Sequence, residues 1–467
     1  MDVLHQLRLY LTRPHVRPWA LSAPILVLLV CLPLLRPLRH PNWLLTSDDE
    51  LARLATIVAL AEQGSFDISD ATFPPSTGTV SRDGGVYSEQ PPTLAALLSG
   101  PYRVMRKLGM PAFDDNPSLV AYLLTMLGVT IPIAVVAGMV YRMGRLFELR
   151  RPRRTLLAIA VVFGSGLVSY GVVLNAHAPA AALLLVSVAC IISVASSRRP
   201  RATSGWLAIA GLTVALAAAI DPAASVFVLL FACAIPAMRW RWPMKIAGVL
   251  LFALGAAPPM LLHASLSRAT LGDPVPVVFQ RQGAAHLLSP VPTTAPDDFD
   301  DPARAATWWN RIGTDLARLT GAFFGDHGLF SHFPVMLMGI FGMAAIMHRH
   351  WPSTTKVLTT ATLIGGLAII IFFSLYALAG SGEMFGPQFF IVFLPLLLFW
   401  SGAWLRRPHG PVKWSLAAAL LLFSIAVTLI GATNPTPREG YDRYTVAQAL
   451  SHLLYPPPPQ QLMLAGR

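Results

Sequence analysis

The sequence predicts an all-α polytopic membrane protein of about eleven transmembrane helices, with its hydrophilic mass on one face of the bilayer. Three observations carry that class. The 467-residue chain is 54% hydrophobic and 12% charged, where a soluble domain carries about 25% charged residues. Apolar runs of membrane-spanning length recur, such as "LVAYLLTMLGVTIPIAVVAGMVY" and "TLLAIAVVFGSGLVSYGVVL". The charges also divide by loop. With the N-terminus in the cytoplasm, the short inner connections hold twenty of the 35 basic residues, while 21 of the 23 acids fall outside.

In chain order the spans are expected near 19–38, 118–141, 155–175, 178–196, 205–220, 222–238, 245–267, 330–347, 357–379, 384–404 and 413–432. The fifth and sixth are short enough for a re-entrant pair. Each must be helical, because backbone polar groups in lipid are satisfied only within their own segment. The first apolar run follows Arg8, Arg13 and Arg17 and is read as a retained helix, since no small-residue cleavage site follows it. The net charge of +12 therefore reflects topology, and a nucleic-acid partner is not expected. Cys31, Cys190 and Cys233 all lie in apolar runs, so neither a disulfide framework nor a cysteine metal site is expected. Four lysines against 31 arginines, with abundant alanine, suggest a GC-rich bacterial gene and a multi-pass protein of the plasma (inner) membrane.

The whole chain, 1–467, reads as one transmembrane domain. Two long segments lie outside, 40–117 and 268–329, and a proline-rich tail, 433–467, points outward. The outer connections between them are tight turns, "NAHAPA", "IDPAAS" and "GSGEMFGPQ".

The first long segment opens with "SDDELARLATIVALAEQG". Ser47 and Glu50 match a capping box, and acids in a first turn favour the helix dipole. Leu51, Leu54, Ala55, Val58 and Ala61 describe one apolar face, Asp49 and Arg53 form an i, i+4 pair, and Gly64 suits the helix end. An interfacial amphipathic helix accounts for all of this. It does not account for three consecutive acids, since a cap needs fewer and neighbouring carboxylates repel. Carboxylates at a membrane boundary are candidates for acid–base chemistry. Further on, Asp83-Gly84-Gly85 predicts a turn, Tyr87 to Gln90 an extended piece, and Pro91-Pro92 the start of a second amphipathic helix. The basic end of that helix, Arg103, Arg106 and Lys107, is expected to face lipid phosphates.

Acids at the outer end of the first span, then a "DG-x-x-YS-x-x-PP" element and a second interfacial helix, resemble the GT-C superfamily of polytopic glycosyltransferases. Protein O-mannosyltransferases and the lipid A aminoarabinose transferase are among its members. "LNAHAPAAALL", "FFGDHGLFSHFPVMLMGIFG" and "GSGEMFGPQFFIVFLPLLL" are similar to three further outer motifs of that superfamily. The last departs from it at Gln388, where an Arg is usual. The resemblance implies transfer of a sugar from a polyprenyl-phosphate donor, with inversion, to a lipid, glycan or protein acceptor in the cell envelope. A carboxylate would take the acceptor proton and cations would stabilise the leaving phosphate.

On that basis Asp49 is assigned as the base, with Asp48 the close alternative and Glu50 chiefly a cap. Substrate-binding candidates are Glu50, Arg53, Tyr87, Ser88, His177, His327, Glu383 and Gln388. Arg268, Arg281, Arg304 and Arg311 are further outer cations, and Trp308-Trp309 suits either sugar stacking or membrane anchoring. His177 serves equally as a phosphate contact or as a group bound to the adjacent turn. Asp221-Pro222 reads as a helix N-cap with Pro at the first helical position. No cofactor is assigned; a divalent cation held by one or two carboxylates is compatible with the acids, with no metal-ligand set defined. Two other classes fit less well: a transporter or lipid flippase, which would place charges mid-membrane and show repeated halves, and a non-catalytic partner in envelope glycan assembly.

Overall fold

The computed structural model describes residues 18–35, 47–72, 78–197, 204–274, 308–375, 384–433 and 435. Helices α1 (Pro18–Leu34), α2 (Asp48–Val58) and α3 (Pro92–Lys107) flank a two-stranded hairpin, β1 (Thr79–Arg82) and β2 (Gly85–Ser88). Then follow α4 (Pro117–Met143), α5 (Arg151–Ile159), α6 (His177–Ala195), α7 (Gly205–Ile220), α8 (Val226–Ala232) and α9 (Trp242–Leu271). The rest comprises α10 (Trp308–Phe324), α11 (Leu329–His332), α12 (Met336–Met347), α13 (Ser353–Leu375), α14 (Leu394–Phe399), α15 (Gly402–Leu405) and α16 (Pro411–Thr433).

Among the described residues, five helices are long and apolar enough to cross a membrane: α4, α6, α9, α13 and α16. A sixth span is reached if Gly313–His332 and Met336–Met347, bent by 92°, count as one. Shorter apolar helices stand at four other expected spans, Ala20–Leu34, Gly205–Ile220, Pro222–Ala232 and Leu394–Leu405. The span expected at 155–175 becomes a wide π turn at Ala160–Gly164 and loses helical continuity by Ser165. Eleven uninterrupted helices are thus not what the chain forms. Residues 165–176 are buried throughout, and irregular backbone is tolerated at membrane depth only where protein covers it. Apolar composition alone does not distinguish that case from a straight span.

The straight helices look different. α9 exposes Trp242, Ile246, Leu250, Leu254 and Leu261, an apolar stripe suited to lipid. Its inner face meets α7 so closely that a Cβ at Gly211 or Gly255 would collide with the facing backbone carbonyl. Small residues at such crossings let membrane helices approach. At one end of the bundle two basic connections meet: Arg153 donates to the Leu405 carbonyl at 2.9 Å, and Arg406 pairs with Glu148.

The first outer segment folds much as its local signals predict. Asp83 and Gly84, both at positive φ (50° and 84°), form a two-residue hairpin turn. Gly64 ends α2 in the left-handed region after a π turn at Ala59–Gln63. The basic end of α3 also contacts the protein. Arg103 donates to the Leu60 and Ala61 carbonyls and Arg106 lies 3.6 Å from Glu62, so both contact the end of α2 rather than standing clear of the protein. Cations at a helix C-terminus complement its dipole. The second outer segment carries α10 over its last third; the side chains of Trp308, Trp309 and Arg311 lie outside the described residues.

Candidate functional site

The three acids part company within one helical turn. Ser47 is the N-cap of α2, its hydroxyl accepting from the Glu50 amide at 3.3 Å. Asp48 and Asp49 are half-buried and Glu50 is buried. Asp49 Oδ1 accepts from Gln90 Nε2 at 2.6 Å. The other end of the same amide, Gln90 Oε1, accepts from an Arg53 terminal nitrogen at 2.7 Å. The other Arg53 terminal nitrogen donates to the Asp49 carbonyl at 3.3 Å. The expected i, i+4 ion pair between Asp49 and Arg53 is therefore not direct; Gln90 stands between the two side chains. Arg53 is buried, and among the described residues no carboxylate lies within ion-pair distance of it.

Local structure holds Gln90 there. Its amide donates to the Ser88 hydroxyl at 3.1 Å, Glu89 donates to the Gly78 carbonyl at 2.8 Å, and Pro91 and Pro92 start α3 immediately after. Gly78, at φ +71°, lies beside Asp49, and a Cβ there would be in ordinary contact with Oδ1 at 3.6 Å. Ser88 thus serves by fixing the Gln90 backbone. Tyr87 turns towards its own hairpin: its hydroxyl crowds Gly85, as does Asp67, whose carboxylate accepts from Ser69 and the Val86 amide. Those bonds, the Ser69 hydroxyl first, hold the Asp67 carboxyl below its ordinary value.

Glu50 belongs to another network. Its Oε1 accepts from the Leu174 amide at 3.1 Å, tying the first outer segment to the buried break after α5. In that break Asn175 donates to the Tyr170 and Val173 carbonyls, and its oxygen accepts from the Ala178 amide at 2.9 Å. Tyr170 in turn donates to the Phe385 carbonyl at 2.6 Å. Gln388, buried, accepts from the Met384 amide at 3.0 Å and closes the "FGPQ" turn upon itself. Arginine has no acceptor and cannot make that bond, so in this chain Gln388 has a local task. Glu383 lies outside the described residues, as do Arg281 and Arg304.

His177, the first residue of α6, places Nδ1 2.7 Å from Asp221 Oδ2. The other Asp221 oxygen accepts from the Ala223 amide at 3.0 Å, which is the expected N-cap. The ring of His177 meets Tyr170 and Phe389 edge-on. His327 lies parallel to His332, ring centroids 6.4 Å apart. His332 is buried, with Nδ1 3.0 Å from the Gly328 carbonyl and its ring against Phe385.

Tertiary structure thus joins Asp49 and Arg53 through Gln90, and links Glu50 to the "LNAHA" and "FGPQ" turns. His177 and His327 neighbour those turns. Gln90, Tyr170, Asn175 and His332 were not site candidates from sequence, although Gln90 lies in the "SEQPP" spacing before α3, Asn175 in "LNAHA" and His332 in "GLFSHFP". A cleft lined by Leu54, Val58, Glu62, Asp67, Asp70 and Asp114 runs along the far half of α2 and does not involve Asp48 or Asp49. Among the described residues, no group of three or more His, Cys, Asp or Glu side chains is arranged to hold a metal ion.

No protein-family model and no curated protein matches the sequence. The fold does match solved structures. The oligosaccharyltransferase of Archaeoglobus fulgidus in its apo form aligns with a TM-score of 0.52 at 13% identity, over 96% of this chain and 59% of that one. The same enzyme in complex with Zn and sulfate aligns with a TM-score of 0.51 at 14% identity, over 96% and 57%. The chain thus spans under three-fifths of the length of these neighbours. The fold is that of a helical membrane protein, similar to this oligosaccharyltransferase.

Proposed function

We propose that the chain is a membrane glycosyltransferase that moves a sugar from a polyprenyl-phosphate donor to an acceptor hydroxyl at the outer face of the plasma membrane. One observation carries the reading: a half-buried carboxylate, Asp49, and a buried guanidinium, Arg53, stand on one helical turn without pairing directly. The GT-C-like fold supports it, as do the outward acids and inward arginines of the sequence.

In the proposed reaction the acceptor hydroxyl attacks the anomeric carbon as the bond to the lipid phosphate breaks, with inversion. Asp49 takes the hydroxyl proton, and Arg53 stabilises the phosphate that leaves with the bonding electron pair. Asp49 is preferred to Asp48 because Gln90 orients its carboxylate. The acceptor is a lipid, glycan or protein of the envelope. No step needs a metal ion, and a divalent cation near the acids would assist the same charge separation.

The test is transfer by membranes carrying the chain, incubated with a panel of radiolabelled polyprenyl-phosphate sugars. Asp49→Asn is expected to lower transfer about 10²–10⁴-fold at unchanged membrane abundance, and Asp48→Asn much less. Full activity in both variants would remove the base. Movement of the lipid across proteoliposomes without any glycosyl product would favour a flippase.

A further inference from the structure

Asp49 and Arg53 have the spacing at which a helix ordinarily forms a direct ion pair. A direct pair would occupy the base and neutralise the cation together. We propose that Gln90 is a positioning residue whose neutral amide is inserted between them, so that the carboxylate stays oriented and the guanidinium keeps its charge for a lipid-linked phosphate. The inference rests on the reading of Arg53 as the phosphate cation.

The hydrogen bonds determine which way the amide faces. Only with Nε2 towards Asp49 and Oε1 towards Arg53 are the 2.6 and 2.7 Å contacts both donor-to-acceptor. Either flip would set donor against donor and acceptor against acceptor. Each bond has one ionised partner, the stronger kind. Their backbone support is independent of α2: the Ser88 hydroxyl, the Gly78 carbonyl and two prolines hold Gln90 from the hairpin and α3. The spacer is thus anchored outside the helix whose side chains it separates. It is also buffered against local charge, being a group that neither gains nor loses a proton. Burial adds force to the argument, since Arg53 is 5% exposed and a guanidinium there meets less competition from water for an anion.

A polar group of the same shape satisfies the geometry only if it offers one donor and one acceptor. A protonated carboxyl does so and an ionised one does not. Gln90→Glu should therefore fail near neutral pH, where the introduced carboxylate pairs with Arg53 and repels Asp49. It should recover as the introduced group is protonated. Gln90→Met has no polar atoms to interpose, lets Asp49 and Arg53 pair, and should fail at every pH.

The experiment measures binding of sugar-free polyprenyl phosphate to the purified full-length chain in detergent, each variant as a ratio to wild type at about pH 8 and about pH 4. The ratio removes the titration of the lipid phosphate itself. Expected are at least tenfold weaker binding for Gln90→Met at both pH values, and at least tenfold weaker binding for Gln90→Glu at about pH 8 that returns to within about threefold at about pH 4. Arg53→Gln should abolish binding. Wild-type affinity in Gln90→Met, or a Gln90→Glu ratio that does not change with pH, overturns the inference. Wild-type affinity in Arg53→Gln overturns the role of Arg53 itself, and full transfer by Asp49→Asn in the membrane assay overturns the base separately. Melting temperatures of the same preparations distinguish a displaced side chain from an unfolded one: a ratio that falls only in step with melting counts against the spacer.

Discussion

Asp49 and Glu50 are consecutive, yet they serve different regions. Asp49 stands at a half-buried rim with Gln90 and Arg53, where polar groups face one another across a short span of the first outer segment. Glu50 reaches into a buried collar formed by Leu174, Asn175, Tyr170 and Phe385, where each polar side chain supports irregular backbone. The difference teaches how to read polar residues at a membrane boundary. In the collar, side chains substitute for the hydrogen bonds that a helix would have made, because buried carbonyls and amides cannot be left open. At the rim the backbone is already largely helical or in a hairpin, and the side chains of Asp49, Gln90 and Arg53 bond one another instead.

Substitutions can break or sharpen this contrast. The largest effect is expected at the rim on activity: Asp49→Asn should lower transfer about 10²–10⁴-fold, while melting in detergent stays within about 1 kcal/mol of wild type, because Asn keeps an oxygen that accepts from Gln90. In the collar the effect should reverse. Asn175→Ala deletes one acceptor and two donor contacts to buried backbone and should cost about 3 kcal/mol of stability, read by thermal unfolding, with transfer per folded molecule unchanged. Glu50→Ala, losing the charge-assisted bond to Leu174, should cost about 2 kcal/mol. A Glu50→Ala protein that melts like wild type and fails in transfer would move Glu50 from the collar to the rim.

Gln388→Arg is a smaller and more pointed test. It restores the residue usual in the resembled motif, yet leaves the buried Met384 amide without its acceptor, and should cost about 1–2 kcal/mol with no gain in transfer. Increased transfer would show that the turn serves substrate in this chain as well. The smallest effect concerns the hairpin. Asp67 has a depressed folded-state carboxyl, so its contribution is present above the ordinary value of 3.8 and is lost as pH falls through the lower folded value. Protection of the Val86 amide from hydrogen exchange should fall over that acid range in the wild type and be pH-independent in Asp67→Asn. The rim should be indifferent to both changes.

Much of this molecule was legible from local signals. Composition marks a helical membrane protein, and the sorting of charge is what proposes that its acids share one face. Asp83-Gly84 predicted the hairpin turn, Ser47 the start of α2, Gly64 its end and Asp221-Pro222 a capped turn, because caps and tight turns are decided within a few residues. Local signals also placed Asp49 and Arg53 one turn apart, but they implied a direct pair. Tertiary structure decided that Gln90, 41 residues beyond Asp49, would stand between them. It decided too that Glu50 would bind an amide 124 residues away, and that the expected span at 155–175 would break inside the protein. The reason is common to all three. A helical run records which side chains are apolar and how they repeat, whereas burial of a broken backbone and the partner of a charge depend on segments that meet only after the chain has folded.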